Sequence, residues 1–293
     1  MKVLLIGASG QLGLALQQSQ PAGVELLAPD HAQLDVMDVR QLKHWLVERA
    51  PELIINCAAY TQVDQAEQES LAAEAVNHQA VKQLAEVAGQ TGARVLHIST
   101  DYVFDGQANS PYSTAAPCAP LGVYGATKWR GEQALLQALP GQATVIRTSW
   151  LYAQHGQNFL QTMLGLMASR SSLSVVVDQI GTPTHCWGLA NFLWWAVGRS
   201  SLPTVMHWAD CGVASWYDFA LAIMEEACSL GLLAAPIELL PIASRDYPQA
   251  APRPVYSVLD ASQSYRLADL PPTHWRDGLR TTLGLMMATD SSG

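Results

Sequence analysis

The stretch KVLLIGASGQLG, residues 2–13, decides the fold of this chain. An apolar run ends at Gly7, and Gly10 and Gly13 follow at intervals of three residues. Between a buried strand and a helix, such glycines permit a tight turn, a close approach of a diphosphate to the backbone, and close helix–sheet packing. The free N–H groups at the start of the helix attract phosphate oxygens. The stretch therefore predicts a dinucleotide-binding turn, and a purely structural turn is the less favoured interpretation.

Short apolar runs alternate with helix-length segments through the first half of the chain. The apolar runs are residues 2–6, 24–28, 53–56, 94–99 and 143–147, and the helical segments are 11–20, 39–50, 67–89 and 124–139. This rhythm predicts parallel βαβ units, and continuous apolar strands are typical of a sheet covered on both faces. Right-handed crossovers then give a doubly wound, Rossmann-like α/β fold.

The rhythm changes after residue 147. A loop is expected at 150–158, a helix at 159–169, a strand at 173–177 and an apolar helix at 186–197. Four prolines predict an irregular stretch at 241–254. We therefore expect a dinucleotide-binding domain at 1–150, with the helix at about 186–199 packed on it. A smaller, mainly substrate-binding domain is expected at 151–290.

Composition and charge exclude several classes of protein. Of the 293 residues, 49% are hydrophobic and 14% charged, and the net charge of -9 comes without any basic cluster, which argues against a nucleic-acid partner. The uncharged stretch 179–198 contains Gly181 and Pro183, so we do not expect it to span a membrane. The five cysteines form no CxxC pair, which favours free thiols and a cytoplasmic protein.

The position of Asp30 bears on the choice of cofactor. It lies past the second predicted strand, about 20 residues after the glycine turn, where a carboxylate can bind both ribose hydroxyls of NAD. A solvated loop aspartate is an equal alternative. Residues 7–13 contain no basic side chain for the 2′-phosphate of NADP, and His31 is the nearest substitute. The choice between NADPH and NADH stays open, with a slight preference for tolerance of NADH.

A tyrosine and a lysine one helical turn apart predict the chemistry. Tyr124 and Lys128 share a helix face, at roughly 5–6 Å between Cβ atoms. A ketone that receives a hydride needs a proton, and a nearby ammonium favours the phenolate of a tyrosine donor. Thr100 closes the preceding predicted strand and can hydrogen-bond the carbonyl oxygen. A chance helical pair and a hydroxyl satisfied by backbone are the alternatives, and the order of the three features favours catalysis.

Five motifs in this order resemble one family closely. GASGQLG (7–13), STDYVFDG (99–106), YGATK (124–128), RTSWLYA (147–153) and VVDQIGTPT (176–184) resemble the dTDP-4-dehydrorhamnose reductase family, of the extended short-chain dehydrogenase/reductase class, over residues 1 to about 285. The resemblance implies reduction of the C4 ketone of dTDP-4-dehydro-L-rhamnose by NADPH or NADH. Tyr124 would be the proton donor, Lys128 its partner and Thr100 the residue that orients the carbonyl.

The resemblance and the glycine turn together give an expected set of binding residues. For the cofactor these are Gly7, Gly10, Gln11, Leu12, Gly13, Asp30, Asp35, Val36, Ala59, Tyr60, Thr61, Ile98, Tyr124 and Lys128, and for the substrate Thr100, Asp101, Trp150 and Arg253. A core aromatic is the alternative for Trp150. An exposed loop arginine is nearly as well supported for Arg253 as a contact with the diphosphate. We expect Asn77 to have a structural role.

One departure from the family pattern concerns metal and assembly. Some members are thought to dimerise through magnesium held by a carboxylate in the first helix, and this chain has Ala15 there. We therefore expect no metal site, and a monomer or a homodimer without a metal bridge. Two other functions stay open, a 4-ketoreductase for another dTDP-deoxysugar and a non-enzymatic regulatory subunit such as that of methionine adenosyltransferase.

Overall fold

The computed structural model describes residues 1–290. The strands are β1 (Lys2–Ile6), β2 (Glu25–Leu27), β3 (Leu53–Asn56), β4 (Arg94–Thr100), β5 (Ala143–Thr148), β6 (Leu151–Tyr152), β7 (Ser172–Val176), β8 (Ile180–Gly181), β9 (Thr184–His185), β10 (Val205–His207), β11 (Ala214–Ser215) and β12 (Glu238–Ile242). The helices are α1 (Gln11–Gln18), α2 (Val39–Arg49), α3 (Val63–Gln68), α4 (Ser70–Glu74), α5 (Ala80–Thr91), α6 (Val123–Ala138), α7 (Phe159–Ser169), α8 (Cys186–Val197), α9 (Trp216–Ser229), α10 (Ser262–Ala268) and α11 (Trp275–Asp290).

A parallel sheet forms the centre of the molecule. Its strands lie in the order β2-β1-β3-β4-β5-β10, and each neighbouring pair is parallel. The chain leaves β1 to one side for β2 and returns to the other side for β3. This reversal opens a crevice at the carboxyl ends of β1 and β3, where α/β proteins bind ligands. The doubly wound parallel sheet predicted from the sequence is confirmed.

Helices cover both faces of this sheet, which explains the continuous apolar strands. Val3 and Leu5 of β1 point into a core shared with α1 and α8, whereas Leu4 and Ile6 point into the opposite core, shared with α2 and α5. Because successive side chains of a strand alternate between faces, residues 3–6 of β1 must all be apolar. The apolar helix predicted at 186–197 is α8, and it contacts α1 as part of the first core.

The C-terminal lobe, made of α7, β7, α9, β12 and α11, has a core of its own. Strands β7 and β12 pair in parallel, and Leu173 and Val175 meet Phe219 and Ile223 of α9. Between the parts of this lobe the chain returns to the main sheet through β10. Residues after 150 therefore belong partly to the lobe and partly to the main sheet. The assignment of this lobe to substrate binding stays a prediction.

The region predicted as one helix at 67–89 is divided in the structure. Helices α3 and α4 are followed by a π-helical turn at Ala75–Gln79, which continues into α5. Asn77 in this turn accepts a hydrogen bond from the Tyr60 N–H at 2.9 Å and donates to the Tyr60 carbonyl at 3.1 Å and to Thr127 at 3.2 Å. The wide turn thus lets Asn77 join the loop after β3 to α6.

Smaller differences concern loops. Residues 151–152 of the predicted loop form β6, which pairs with β9. The proline-rich stretch begins inside β12 and contains a 3₁₀ turn at Ser244–Asp246. Within residues 1–290, no helix combines the length and apolar character that crossing a membrane requires.

Candidate active site

A cleft of about 570 Å³ opens where β1, β3, β4 and β5 end. It contains most of the predicted site: Gly7, Gly10, Gln11, Leu12, Gly13, Ala59, Thr61, Ile98, Thr100, Asp101, Tyr124, Lys128 and Trp150. A second pocket of about 320 Å³ shares Gly7, Gly10 and Ala59 with it and extends to Asp35 and Val36. The two together form an elongated site with the glycine turn in the middle.

The glycine turn has the geometry that the sequence predicts. Gly7 has a positive φ of 82°, and a Cβ at Gly13 would lie 2.3 Å from the Gly7 carbonyl oxygen. A Cβ at Gly10 would meet only that same oxygen, at 3.4 Å, so Gly10 leaves space on the cleft side. Gly10 is also the N-cap of α1 and provides no side chain for the first amides of that helix. Those N–H groups are therefore available to a diphosphate.

Two predicted cofactor residues lie outside the walls of both pockets. Asp30 is exposed, and its carboxylate accepts the Gln33 N–H at 2.9 Å, so it caps a turn as the loop alternative described. Tyr60 has its backbone held by Asn77, and its hydroxyl donates to Glu69 at 2.8 Å, a residue that lines neither pocket. These local hydrogen bonds explain why neither side chain faces the elongated site.

Thr100 and Tyr124 meet on the wall of the large cleft. The Thr100 hydroxyl donates to Asp101 Oδ1 at 3.0 Å and accepts the Tyr102 N–H at 3.1 Å. Burial raises the pKa of Tyr124 to about 12, while a hydrogen bond with Thr100 lowers that pKa and the charge of Asp101 raises it. Tyr124 therefore keeps its proton at neutral pH.

Lys128 lies buried at the floor of the cleft. Its Nζ donates to the Ile98 carbonyl at 2.6 Å and is 3.4 Å from Nε2 of His97. Burial lowers the pKa of Lys128 to about 8, against the charge of Glu132, which raises it. The sequence predicts that the ammonium moves the Tyr124 pKa towards neutrality, but burial of the tyrosine is the largest influence on this pKa and raises it.

Asp101 is a buried acid beside the two hydroxyls. Burial raises its pKa to about 7, and hydrogen bonds with Ser257 and Thr100 oppose that increase. A carboxyl group in this state can donate or accept a hydrogen bond near neutral pH. Asp101 is therefore suited to a polar group of a ligand, as expected for a substrate contact.

Trp150 is held in an unusual conformation at the mouth of the cleft. Its φ of 46° lies in the left-handed region, and its ring stacks on Trp216 with 3.4 Å between centroids and 2° between planes. A Cβ on Gly181 would lie 2.5 Å from the same ring. Backbone strain of this kind persists only where the surroundings impose it, and it is common at ligand sites. The half-buried ring lines the cleft, which favours the ligand-facing interpretation over a core aromatic.

Arg253 is neither an exposed loop residue nor part of the cleft wall. Its guanidinium forms an ion pair with Asp64, with Nη2 at 2.5 Å from Oδ2 and Nη1 at 3.0 Å from Oδ1. Burial raises the pKa of the neighbouring Tyr102, and the charge of Arg253 opposes this increase. The ring of Tyr102 contacts that of Tyr124 edge-on, at 5.8 Å between centroids. A contact between Arg253 and a diphosphate stays a prediction.

Several residues that line the large cleft were not predicted as site residues. They are Ser9, Cys57, Ser99, Thr148, Ser149, Leu151, Gly156 and Gln157. Gly156 follows His155 in a polar loop between two motifs, and this glycine could have predicted a turn beside the cleft from the sequence. In the structure Gly156 has a positive φ of 78°. The other residues flank predicted ones and could be found only from the fold.

Comparison with known proteins identifies the family. The family model described as RmlD substrate binding domain matches residues 1–287. A dTDP-4-dehydrorhamnose reductase of Aggregatibacter actinomycetemcomitans is 38% identical over 286 residues, which cover 95% of this chain and 97% of that protein. The chain belongs to the dTDP-4-dehydrorhamnose reductase family. It is therefore an oxidoreductase of the extended short-chain dehydrogenase/reductase class, as the motifs predict.

Other members of the reductase family differ in their described roles. The spore coat polysaccharide biosynthesis protein SpsK of Bacillus subtilis is 40% identical over 285 residues, or 96% of each chain. A probable dTDP-4,6-dihydroxy-2-methyloxan-3-one 4-ketoreductase of Streptomyces antibioticus is 39% identical over 293 residues, covering 99% of this chain and 97% of that one. Identity alone thus does not select one sugar.

A solved member of the reductase family has the same fold and holds a nucleotide cofactor. The crystal structure of a dTDP-4-dehydrorhamnose reductase from Bacillus anthracis in complex with NADP matches with a TM-score of 0.90 at 35% identity. The match covers 96% of this chain and 98% of that chain. The prediction that this family uses a nicotinamide cofactor is confirmed.

Proposed function

We propose that this chain reduces the C4 ketone of dTDP-4-dehydro-L-rhamnose to dTDP-L-rhamnose with NADPH or NADH. The observation that carries the proposal is the presence of Thr100, Tyr124 and Lys128 on the walls of one cleft with the glycine turn. The relative from Aggregatibacter actinomycetemcomitans, named for this reaction, supports the choice of sugar.

The cleft has the features that a dinucleotide requires. Gly10 leaves room for the diphosphate, the first amides of α1 are free to bind it, and the smaller pocket beside Asp35 and Val36 can receive the adenosine. No lysine or arginine is among the residues that line this smaller pocket. His31 is the lining residue that could best bind a 2′-phosphate. We therefore expect NADH to be accepted as well as NADPH.

The residues around the ketone have distinct tasks in the proposed mechanism. The bound reduced nicotinamide supplies the hydride to C4. Tyr124, which keeps its proton at neutral pH, donates that proton to the C4 oxygen, and Thr100 orients the same oxygen by a hydrogen bond. Lys128 binds the nicotinamide ribose, and in its charged form it stabilises the phenolate that remains.

The nucleotide sugar is proposed to lie against Asp101 and Trp150. Asp101 can hydrogen-bond a sugar hydroxyl, while the ring of Trp150, fixed by Trp216, supplies a flat wall. Arg253 can contact the diphosphate only by sharing its charge with Asp64, to which it is bonded in the structure. Its contribution to binding is therefore expected to be smaller than that of an unpaired arginine.

A 4-ketoreductase for another dTDP-deoxysugar is the second candidate. It is supported by the Streptomyces antibioticus relative, because that protein is as similar to this chain as the rhamnose reductases are. Both reactions use the same three residues. A regulatory subunit is not supported by this site, because such a protein has no need of a buried lysine beneath a tyrosine and a threonine.

The substrate panel that tests the proposal consists of dTDP-4-dehydro-6-deoxyhexoses that differ in stereochemistry and in oxygenation of the ring. Each is incubated with the protein and with NADPH or NADH, and the product sugar is identified by NMR. We expect the fastest turnover with dTDP-4-dehydro-L-rhamnose. Faster turnover of a different sugar would select the second candidate, and no oxidation of either cofactor with any sugar would contradict both.

A further inference from the structure

Tyr124 lies in the weakest part of its own helix. It is the second residue of α6, which begins at Val123, and glycines occupy positions 122 and 125. Glycine is a poor helix former, and the first N–H groups of a helix have no partner within it. The N-cap, Gly122, has no side chain that could accept one of them. The sequence of α6 alone therefore does not fix the turn that carries Tyr124.

A glutamate from another helix supplies the missing cap. Glu67 belongs to α3, and its Oε1 accepts the Val123 N–H at 2.8 Å. A Cβ at Gly122 would lie 2.7 Å from that same oxygen, so the carboxylate occupies the place of an N-cap side chain. A negative charge at this end of a helix is also favoured by the helix dipole. Glu67 thus caps α6 from a distance of 56 residues in the chain.

The glutamate lies beside Tyr124 but outside the ligand cleft. Glu67, Tyr102 and Tyr124 line one small pocket, and of all the residues around this pocket only Tyr124 also lines the large cleft. A Cβ at Gly125 would lie 2.1 Å from the Tyr102 carbonyl oxygen, so the first turn of α6 packs closely against the chain after β4. Glu67 therefore reaches the site through the backbone of α6.

Lys128 is held in a different way from Tyr124. It lies one turn further into α6, its side chain is buried, and its Nζ donates to the Ile98 carbonyl at 2.6 Å. The position of Tyr124 relative to Lys128 depends on the helical form of the turn between them. A misplacement of a reacting group by about 1 Å can lower a rate by about 100-fold. Fraying of this first turn would therefore affect catalysis before it affected the rest of the fold.

We propose that Glu67 is a positioning residue for the reduction, which fixes the first turn of α6 and so sets Tyr124 against Thr100 and Lys128. The effect on turnover rests on the proposed role of Tyr124, whereas the cap itself does not. Cofactor binding should depend little on Glu67, because this residue lines neither of the two pockets assigned to the cofactor.

Substitutions of Glu67 separate the hydrogen bond from the charge. Glu67→Ala removes the acceptor, and we expect kcat at saturating NADPH to fall about tenfold to 100-fold while Kd for NADPH stays within a few-fold. Glu67→Gln keeps an acceptor oxygen and should retain kcat within a few-fold of the wild type. A kcat of Glu67→Ala within twofold of the wild type would overturn the proposal, and so would equal losses in the two variants.

A double variant returns the cap from a different residue. Removal of the Glu67 side chain opens the space beside Gly122, whose φ of -126° and ψ of 174° suit a serine N-cap. Glu67→Ala/Gly122→Ser thus offers a hydroxyl oxygen to the first amides of α6. We expect this variant to recover kcat to within a few-fold of the wild type. A folded double variant with the kcat of Glu67→Ala would contradict a role as a cap.

The N-cap of α2 offers a matched control. The Asp38 side chain accepts the N–H groups of Arg40 and Gln41, and α2 carries none of the proposed site residues. Asp38→Ala should lower thermal stability about as much as Glu67→Ala does and leave kcat unchanged. An equal loss of kcat in Asp38→Ala would show that general destabilisation, not the position of Tyr124, lowers turnover.

Hydrogen exchange tests the cap without any reaction. We expect the amides of residues 123–127 to exchange about fivefold faster in Glu67→Ala than in the wild type, and at the wild-type rate in Glu67→Gln. Unchanged exchange in Glu67→Ala would overturn the proposal. If Glu67→Ala does not fold, Glu67→Asp replaces it, because its carboxylate ends one methylene further from Val123. Failure of the proposed reaction would appear in the substrate panel and leave the exchange rates as expected, so the two failures are distinguishable.

Discussion

Burial is the largest influence on the pKa of each of three ionisable groups in the large cleft. The pKa of Tyr124 rises to about 12, that of Asp101 rises to about 7, and that of Lys128 falls to about 8. In all three, removal from water is the largest cause, and it favours the neutral form. Near pH 7 these values leave Tyr124 protonated, Asp101 partly ionised and Lys128 mostly charged, so the cleft keeps a cation beside the N–H groups of α1.

The raised pKa of Asp101 predicts how stability depends on pH. Between its ordinary value of 3.8 and about 7, the folded state holds a proton that the unfolded state has released, so the free energy of unfolding falls as pH rises through this range. Asp101→Asn removes this loss. We expect the variant to gain about 2 kcal/mol or more relative to the wild type between pH 4 and pH 8. Urea unfolding at both pH values measures this, and parallel pH curves for the two proteins would contradict it.

The hydroxyl of Thr100 can be tested separately from its size. Thr100→Ala removes the donor to the carbonyl oxygen, and we expect kcat to fall about 100-fold to 1,000-fold. The affinity for the cofactor should change little, because Thr100 is not part of the glycine turn that is expected to bind the diphosphate. Thr100→Ser keeps the hydroxyl and serves as the control. Equal losses in the alanine and serine variants would show that the methyl group, not the hydroxyl, matters.

At the scale of elements, the turn between β1 and α1 allows a substitution that weakens cofactor binding without disturbing the fold. Gly10→Ala adds a Cβ that meets only a carbonyl oxygen at 3.4 Å, so the fold should tolerate it. The new methyl group occupies the approach of the diphosphate, and we expect Kd for NADPH to rise about tenfold or more. Fluorescence titration measures this Kd.

Gly165 provides a matched control for Gly10. It lies in α7, and no atom would be within 4 Å of an added Cβ. Gly165→Ala should leave Kd for NADPH unchanged and raise thermal stability, since alanine is the better helix former. A Gly10→Ala variant with wild-type cofactor affinity would show that the diphosphate does not approach this glycine.

Elements with a strong local signal could be predicted from the sequence. The strands at 2–6 and 53–56 and the helices at 159–169 and 186–197 have the predicted bounds, because their signals are local. Gly7 ends the first strand, Asn158 caps α7 and Gly198 follows α8. The π-helical turn around Asn77 could not be predicted, since it depends on contacts with Tyr60 and Thr127 from distant segments. β10 is three residues long and becomes a strand only by pairing with β5.

The same contrast applies to the site. Tyr124, Lys128 and Thr100 occupy fixed positions in motifs, so sequence order was enough to bring them together. The turn-capping role of Asp30, the ion pair of Arg253 and the contact between His97 and Lys128 each depend on side-chain rotamers and neighbours that no spacing encodes.

For the whole molecule, the main sheet and the C-terminal lobe meet at a pair of tryptophans. Trp150 follows β5 of the sheet, whereas Trp216 begins α9 of the lobe, and both rings are half-buried against the lobe's core. Their stacked rings hold Trp150 in its left-handed backbone conformation beside the cleft. The lobe therefore holds the position of Trp150, which lines the large cleft.

This connection predicts a selective effect on the nucleotide sugar. Trp216→Ala frees the ring of Trp150, and we expect KM for the sugar to rise about tenfold while Kd for NADPH stays within a few-fold. Trp216→Phe retains an aromatic partner and should cause a smaller change. Steady-state kinetics with separate cofactor titration distinguish the two effects. An equal loss of cofactor affinity would place Trp216 outside this role.

The most direct test of the proposed chemistry is the turnover of Tyr124→Phe with dTDP-4-dehydro-L-rhamnose and NADPH, measured beside the cofactor Kd of the same sample. The phenylalanine ring fills the same space but has no proton to donate. We predict that kcat falls about 100-fold to 10,000-fold while Kd for NADPH stays within a few-fold of the wild type. Turnover within a few-fold of the wild type would contradict the assignment of Tyr124 as the proton donor.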